Sequence, residues 1–501
     1  MAIAGGLLLS AAFPDVGWWG LAPIAMAILF VAISESNGKG AFGLGFVFCM
    51  AFSLVHISWT NFAVGWIPWI ALCAAWSAYV GLACAIFAHA NWAGWFDGRS
   101  WLAPPVFAIA WVAIESLRSF WPFGGFPWGR LAFGVVDAPV VKLAILGGAP
   151  LVSLAVALAG GYLGLAWKAL RERRLLTAVA APLVAIALIV APFAVPLDER
   201  PEAGTLSVGW VQGNVPNEGL DSFSQARLVT QNHLDATLLL ADSLEEPLDL
   251  TIWPENSSDR DPRVDEETAE VVTQAAQAVD TPLLLGTVDY SPPDGRYNVS
   301  LVWLPSGEAA GEYRKQQPAA FAEFIPIRSV ARVFSKEVDR VTLDVLPGTE
   351  PAFIDIDIAS LDRPVRAGTV ICFEVAYDWV PRQAASHGAE FLAVQTNNAT
   401  FGPTAESTQQ LAMTRLRAIE TGKAALQVST VGVSAVVTPS GRVLDQSELF
   451  TQDYGTAIIP LRTSITPAVA YGKWIEWGVV VVAGLILLAA VVTRTRQRRE
   501  S

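Results

Sequence analysis

The 501-residue sequence predicts a polytopic α-helical membrane part of about eight spans joined to an α/β domain with covered sheets. Three observations carry this fold class. Hydrophobic residues make up 53% of the chain and charged residues only 16%, against usual values of about 45–50% and about 25%. The mean hydropathy is +0.43 and there are 19 Trp, so much of the chain faces lipid. The charge is also segregated: residues 1–197 carry nine basic and six acidic side chains, residues 474–501 four and two, and the middle 20 and 38. That pattern sets a soluble acidic domain, 198–473, between a membrane bundle, 1–197, and a last span with a basic tail, 474–501. The net charge of −13 argues against nucleic acid as a partner, because phosphate binding needs a basic surface. The same composition excludes disorder, collagen-like repeats and a disulfide-rich scaffold.

A bilayer core about 30 Å thick asks for about 20 apolar residues per helix. Spans are expected near 1–13, 16–33, 41–59, 69–92, 101–118, 143–167, 175–197 and 474–493. Leu175 to Leu197 and Trp477 to Thr493 hold no charge at all. The first span is short enough to be re-entrant and lacks the basic start of a signal peptide. With a cytoplasmic N-terminus, Lys39, Arg99, the Lys168 to Arg174 group and the Arg494 to Arg499 group all fall inside, as positive charge prefers. The opposite short loops hold little beyond Arg118 and Arg130, and the 198–473 domain falls on the outer face. Glu115 and Arg118, one turn apart, are expected to neutralise each other; His56 and His89 lie in or near spans. The aromatic loop from Trp121 to Arg130 fits an interfacial belt or a substrate contact equally well.

Beyond residue 198 short apolar runs alternate with turn signals. Strands are expected at Thr205–Gln212, Leu248–Trp253, Leu283–Thr287, Val299–Trp303, Arg366–Ile371, Phe391–Gln395, Leu426–Thr430 and Ser434–Thr438. Helical patterns fall near 222–244, 265–279 and 405–421, and Pro439-Ser440-Gly441 reads as a hairpin turn. Of four cysteines, Cys49, Cys73 and Cys84 lie in expected spans, which leaves Cys372 an exposed thiol with no intradomain disulfide partner. It follows an apolar strand, where open α/β sheets place their sites. Two other strand ends carry chemistry. Leu248 to Trp253 runs into Pro254-Glu255, and Glu312-Tyr313-Arg314-Lys315 leads to Glu323 eight residues on.

Trp253-Pro254-Glu255, Tyr313-Arg314-Lys315 with Glu323, and Ile371-Cys372-Phe373-Glu374, in that order, resemble the Glu–Lys–Cys triad of the nitrilase superfamily. With the flanking spans, the whole chain resembles the bacterial apolipoprotein N-acyltransferase family. Val211 to Pro216, Gln395 to Gly402, Met413 to Glu420 and Phe126-Pro127-Trp128 agree with it. The chain departs from the family pattern at Ala322, at Thr400 and in the lack of a tryptophan near Leu220–Phe223.

The resemblance implies a nitrilase-like αββα sandwich, catalytic Glu255, Lys315 and Cys372, and supporting Glu323, Glu374 and Asn298. It implies substrate or lipid loops at Trp253, Phe321, Phe324, Phe373, Phe401 and Trp128. It implies a phospholipid acyl donor, a diacylglyceryl-apolipoprotein acceptor, no metal or other cofactor, and a monomer in the bacterial inner membrane. A free thiol is only a few per cent thiolate at neutral pH, so Glu255 would take its proton, its own affinity raised by burial beside Trp253 and by Glu323 and Glu374. Lys315 would balance charge and meet the oxyanion. Asn298 contacts substrate or caps a turn. Two rivals remain: a tethered nitrilase-type amidase using water, and an inactive binding or transport protein. His387 and His233 stand in no Cys–His protease signature, and Asn256-Ser257-Ser258 and Asn398-Ala399-Thr400 match glycosylation acceptors by chance.

Overall fold

The computed structural model describes residues 1–215, 227–334, 338–339 and 341–500. The start of the helical pattern near 222, Pro216 and the Leu220–Phe223 loop lie outside them. Two compact units form: Met1–Asn61, Gly65–Pro196 and Ala470–Ser501 pack as one, Phe62–Val64 and Leu197–Val469 as the other.

The first unit is helical: α1 (Ala2–Ala11), α2 (Leu21–Ile33), α3 (Gly38–His56), the start of the short α4 (Trp59–Val64), α5 (Trp66–Trp92), α6 (Ala103–Arg118), α7 (Ala144–Arg171), α8 (Leu175–Val190) and, at the far end of the chain, α14 (Pro467–Glu500) from Ala470 onward. Among the described residues six helical stretches are long and apolar enough to cross a membrane: Gly38–His56, Trp66–Trp92, Ser100–Arg118, Pro139–Arg171, Leu175–Ala194 and Pro467–Gln497. The two remaining expected spans are the shorter α1 and α2. Turns occupy much of 12–20, with Gly17 at φ +70°. This leaves α2 only 13 residues, roughly 20 Å at 1.5 Å per residue.

Small residues let these helices approach, as they do in lipid, where apolar side chains gain little by leaving the solvent. A Cβ on Gly160 of α7 would meet Met26 Cβ at 2.4 Å and the Pro23 carbonyl oxygen at 2.8 Å, and one on Gly164 would meet Phe30 at 2.6 Å. Exposed Trp66 and Trp92 stand at the two ends of α5, where amphipathic rings suit a membrane–water boundary. The direct ion pair of Glu115 is with Arg130 rather than with its helical neighbour Arg118. Its Oε2 lies 4.0 Å from Arg130 Nε, and Arg130 Nη2 is 3.4 Å from Glu476 Oε1 on α14. Trp111 Nε1 and the Leu131 N–H donate to Glu115 Oε1 at 2.8 and 3.0 Å. Arg118 instead lies 4.3 Å over the Trp76 ring and donates to the Phe126 carbonyl. The 121–130 loop thus turns its cation inward, because a buried guanidinium needs carboxylates that a lipid surface lacks.

The second unit is an αββα sandwich. One sheet has the order β12-β1-β2-β3-β4-β5: β1 (Thr205–Gln212), β2 (Leu250–Ile252), β3 (Leu283–Asp289), β4 (Tyr297–Trp303), β5 (Ala309–Arg314) and β12 (Asp453–Pro460). The other has the order β11-β10-β9-β8-β7-β6: β6 (Phe353–Ile358), β7 (Arg363–Ile371), β8 (Phe391–Thr396), β9 (Ala425–Ser429), β10 (Ala435–Val437) and β11 (Val443–Gln446). Helices α9 (Leu228–Ser243), α10 (Glu266–Val279), α11 (Arg328–Phe334), α12 (Trp379–Ser386) and α13 (Glu406–Thr421) complete the unit. The Pro439–Gly441 turn joins β10 to β11 as expected. In each sheet three adjacent strands run parallel: β1-β2-β3 and β7-β8-β9. Parallel strands covered on both faces read as unbroken apolar runs, and β8, Phe-Leu-Ala-Val-Gln-Thr, is buried at every position.

The sheets are joined by polar side chains. Ser300 on β4 bonds Gln395 on β8, and Gln395 Nε2 donates to the Trp253 carbonyl at 2.6 Å. Ser434 Oγ and Ser447 Oγ donate to Gln212 Oε1 at 2.6 and 2.9 Å. Buried polar groups require such partners, and these set the register between layers. Strands β5, β6, β11 and β12 escape the sequence patterns because they are partly exposed.

A packing test separates contact from composition. Gly160→Ala is expected to lower the thermal midpoint of the detergent-solubilised protein, reflecting a cost of about 1–3 kcal/mol for overpacking. Gly43→Ala, where nothing lies within 4 Å, is expected to leave the midpoint unchanged or slightly raised, since Ala favours helix over Gly.

Candidate active site

Four strand ends converge on one buried cluster. Glu255 lies three residues past β2, Lys315 directly follows β5, Cys372 directly follows β7, and Asn397 and Asn398 follow β8. Ladder pairing delivers them: β7 and β8 are parallel in register from Ala367↔Phe391 to Ile371↔Gln395, so both release their chains at the same edge. Cys372 adopts φ +51°, a left-handed conformation uncommon outside Gly and held only where the surroundings over-determine it. It opens a short 3-10 turn, Cys372–Ala376.

Glu374 imposes that geometry. Its Oε2 accepts from the Ile371 N–H at 2.9 Å, and its Oε1 accepts from the N–H groups of Gln316 and Gln317 at 2.8 and 3.0 Å. Tyr313 Oη donates to Oε1 at 2.9 Å. This one carboxyl therefore ties the end of β7 to the end of β5, and hence Cys372 to Lys315. Burial pushes Glu374 up to about 7 against the pull of Lys315 and of those backbone donors.

Lys315 is 1% exposed. Its Nζ lies 2.9 Å from Glu323 Oε2 and 3.4 Å from Glu255 Oε1. Burial works against its charge, but Glu323 and Glu255 outweigh that and hold it above an ordinary lysine. The two carboxyls are driven apart. Burial raises Glu255, and Glu323 adds to that, against Lys315 and Asn298. Burial raises Glu323 too, but the Lys315 pair and the Ala319 N–H, 2.7 Å from Oε2, bring it below its usual value. Asn298 caps no turn. It stands on β4 and its Nδ2 donates to Glu255 Oε1 at 2.7 Å and to Glu323 Oε1 at 3.1 Å. Glu374 binds at the strand ends.

The Cys372 thiol lies beside Glu255, close enough to act on its carboxyl. It is buried rather than exposed as the sequence suggested. Burial raises the thiol well above its usual range, Glu255 adds to this, and Lys315 opposes it. The resting sulfur thus keeps its proton, with a base beside it. Such an arrangement suits nucleophilic attack with proton transfer to an adjacent carboxylate and a fixed cation for an oxyanion.

The residues expected to touch lipid or substrate divide. Phe321 is exposed at φ +65°, and Phe324, Phe373 and Phe401 are half-buried. In the 319–324 turn it is Phe321, not Ala322, that takes the left-handed backbone, so an alanine is tolerated at 322. Trp253 and Trp128 are core residues instead. Trp253 is fully buried, donates to Thr237 Oγ1 at 3.0 Å and packs on His233; Trp128 is fully buried against Trp59. His387 stacks on Phe353, and its Nδ1 lies 2.8 Å from the Gln383 carbonyl. Asn398 is 2% exposed, which no glycosylation acceptor could be. Sequence reasoning missed Tyr313 and Asn398 as site components although both lay inside quoted motifs, and it missed Gln410, whose Nε2 is 3.7 Å from Cys372 Sγ. No local spacing signals Gln410, since α13 supplies it 38 residues after the thiol.

Comparisons with known proteins agree with this division of the chain. Residues 5–162 match the family described as the apolipoprotein N-acyltransferase N-terminal domain, and 209–466 match carbon-nitrogen hydrolase. An apolipoprotein N-acyltransferase of Mycolicibacterium smegmatis is 36% identical over 99% of this chain and 85% of its own. One from Azotobacter vinelandii is 29% identical over 99% of this chain and 95% of its own. Among solved structures, an amidase of the nitrilase superfamily from Nesterenkonia superposes with a TM-score of 0.39 at 15% identity, covering 52% of this chain and 94% of that one. With full-length relatives of one kind, and matches to both halves of their architecture, the chain belongs to the apolipoprotein N-acyltransferase family.

Proposed function

We propose that this membrane acyltransferase moves a fatty acyl chain from a phospholipid to the α-amine of a diacylglyceryl-cysteine at the N-terminus of an apolipoprotein, through a thioester on Cys372. The observation that carries the reading is the convergence of Glu255, Lys315 and Cys372, with Glu255 beside the thiol and Lys315 held between two carboxyls. In the first half Cys372 Sγ attacks the ester carbonyl while Glu255 takes the thiol proton. Lys315 donates to the oxyanion, and the proton passes to the leaving alkoxide as lysophospholipid departs. In the second half the free amine attacks the thioester, Glu255 takes a proton from it, and the proton returns to the departing thiolate. Kinetics are then ping-pong.

Both substrates are lipids, and each CH₂ drawn into water costs about 0.8 kcal/mol, which favours a site reached from the bilayer. The residues 1–197 and 474–501 supply the membrane part and 198–473 the catalytic domain on the extracytoplasmic face, with both termini cytoplasmic. The segregation of Lys168 to Arg174 and Arg494 to Arg499 supports this orientation. The protein acts as a monomer.

Intact mass tests the covalent step. After exposure to phospholipid vesicles without acceptor, the protein is expected to gain one acyl mass and Cys372→Ala none; an acyl mass on the variant removes Cys372 from the nucleophile role. Free fatty acid released at the rate of acylation would instead mark water as the acceptor. The pH profile tests the base. Because the Glu255 carboxyl is raised, it is protonated and unable to accept below that raised value. Acyl-enzyme formation is therefore expected to climb as pH rises through it and to fall in acid. Glu255→Gln is expected to lose that limb and slow acylation by about 10²–10⁴-fold.

A further inference from the structure

Three side chains beside the nucleophile take no part in the scheme above: Gln410, Asn398 and Glu406, at 0, 2 and 2% exposure. Gln410 and Glu406 lie one helical turn apart on α13, and Asn398 follows β8. Their hydrogen bonds form a directed chain. Asn398 Oδ1 accepts from Thr396 Oγ1 at 3.0 Å and from Ser429 Oγ at 2.6 Å. Its Nδ2 spends both protons, on Glu406 Oε2 at 2.6 Å and on Gln410 Oε1 at 2.8 Å. With its oxygen engaged, Gln410 turns its Nε2 to Cys372 Sγ at 3.7 Å. The donor and acceptor ends of both amides follow from this network.

The charged groups that act most on the sulfur are Glu255, Lys315 and Glu406, and the Asn397 backbone N–H favours its charged form. Lys315 is engaged with two carboxyls, and Glu255, once it holds the thiol proton, is neutral and balances no charge on the sulfur. A neutral donor aimed at the sulfur therefore matters to a thiolate formed out of water. Burial, with Glu255 adding to it and the Asn398 hydrogen bond opposing, pushes Glu406 up to about 8. At neutral pH it accepts from Asn398 while adding little charge of its own.

We propose that Gln410 is a further catalytic residue of this site: its side-chain amide donates to the Cys372 sulfur as the thiolate forms and again as it leaves the thioester, and Asn398 and Glu406 are positioning residues that hold that amide in place. The proposal rests on Cys372 being the acylated nucleophile.

The test reads the thiol directly. The full chain in detergent is alkylated with iodoacetamide across pH, with modification of Cys372 followed by peptide mass and Cys372→Ala as background. Gln410→Leu is expected to move the alkylation midpoint up by about one unit, which slows modification near neutrality about tenfold, and to slow acylation from phospholipid vesicles by a similar factor with KM unmoved. Gln410→Asn, too short to reach both partners, is expected to shift in the same direction and decides the matter should the leucine variant not fold. Glu406→Leu is expected to give part of the shift, and Glu406→Gln, which keeps an acceptor for Asn398, less than Glu406→Leu. A wild-type midpoint and acylation rate in both Gln410 variants overturn the proposal alone. A parent protein never acylated on Cys372 overturns it together with the reading beneath it.

Discussion

A single buried ammonium organises the catalytic domain. Lys315 has no access to water, and an unpaired charge there would cost several kcal/mol. Glu255 and Glu323 make it tolerable, and each is changed in return. Glu323 has the shorter contact with the cation and a backbone N–H on the same oxygen, so it stays ionised. Glu255 has the longer contact, deeper burial and the repulsion of Glu323, so its affinity for a proton rises. Asn298 donates to both and fixes where each carboxyl stands. One cation thus sustains a permanent counter-ion and a base within reach of a thiol.

That arrangement demands positional control at four strand ends, and the sandwich supplies it without long side chains. Parallel ladders bring β7 and β8 to the same edge, while Glu374 binds the backbone after β5 to the last amide of β7. Cys372 can then hold its left-handed turn, because both flanks are pinned. Below it, Arg417 donates from Nε to the Val375 carbonyl and from Nη2 to that of Ala376, each at 2.8 Å, and pairs with Asp378 and Glu420. The turn carrying the sulfur is thereby gripped from two directions. Removing any one grip would leave a buried polar group unpaired, which is costlier than the bond itself is worth.

The membrane unit solves a different problem by similar means. Lipid offers its helices no hydrophobic incentive to associate, so glycines on α7 admit α2 to near backbone contact. The Glu115–Arg130–Glu476 cluster adds a polar fastening between α6, the 121–130 loop and α14. Helices far apart in sequence are fixed by chemistry that hydropathy alone would penalise.

Several features were legible in the chain alone. The long apolar stretches, the acidic middle, the central strands and the residues Glu255, Lys315, Glu323, Cys372 and Glu374 all carry local signals: period, charge or adjacency to a strand end. Residues whose role arises from distant partners were not legible. Arg130 pairs with carboxylates 15 and 346 positions away, and Asn298 serves two carboxyls rather than a turn. Gln410 reaches the thiol only because α13 packs where β8 ends, and Trp128 and Trp253, expected as substrate or lipid contacts, are fully buried core residues. Sequence therefore determined which segments enter lipid and which strands end in chemistry, because hydrophobicity and strand period act over a few residues. Tertiary structure alone decided which carboxyl stays charged, which takes a proton and which amide meets the sulfur, because desolvation and hydrogen-bond direction depend on groups that folding brings together.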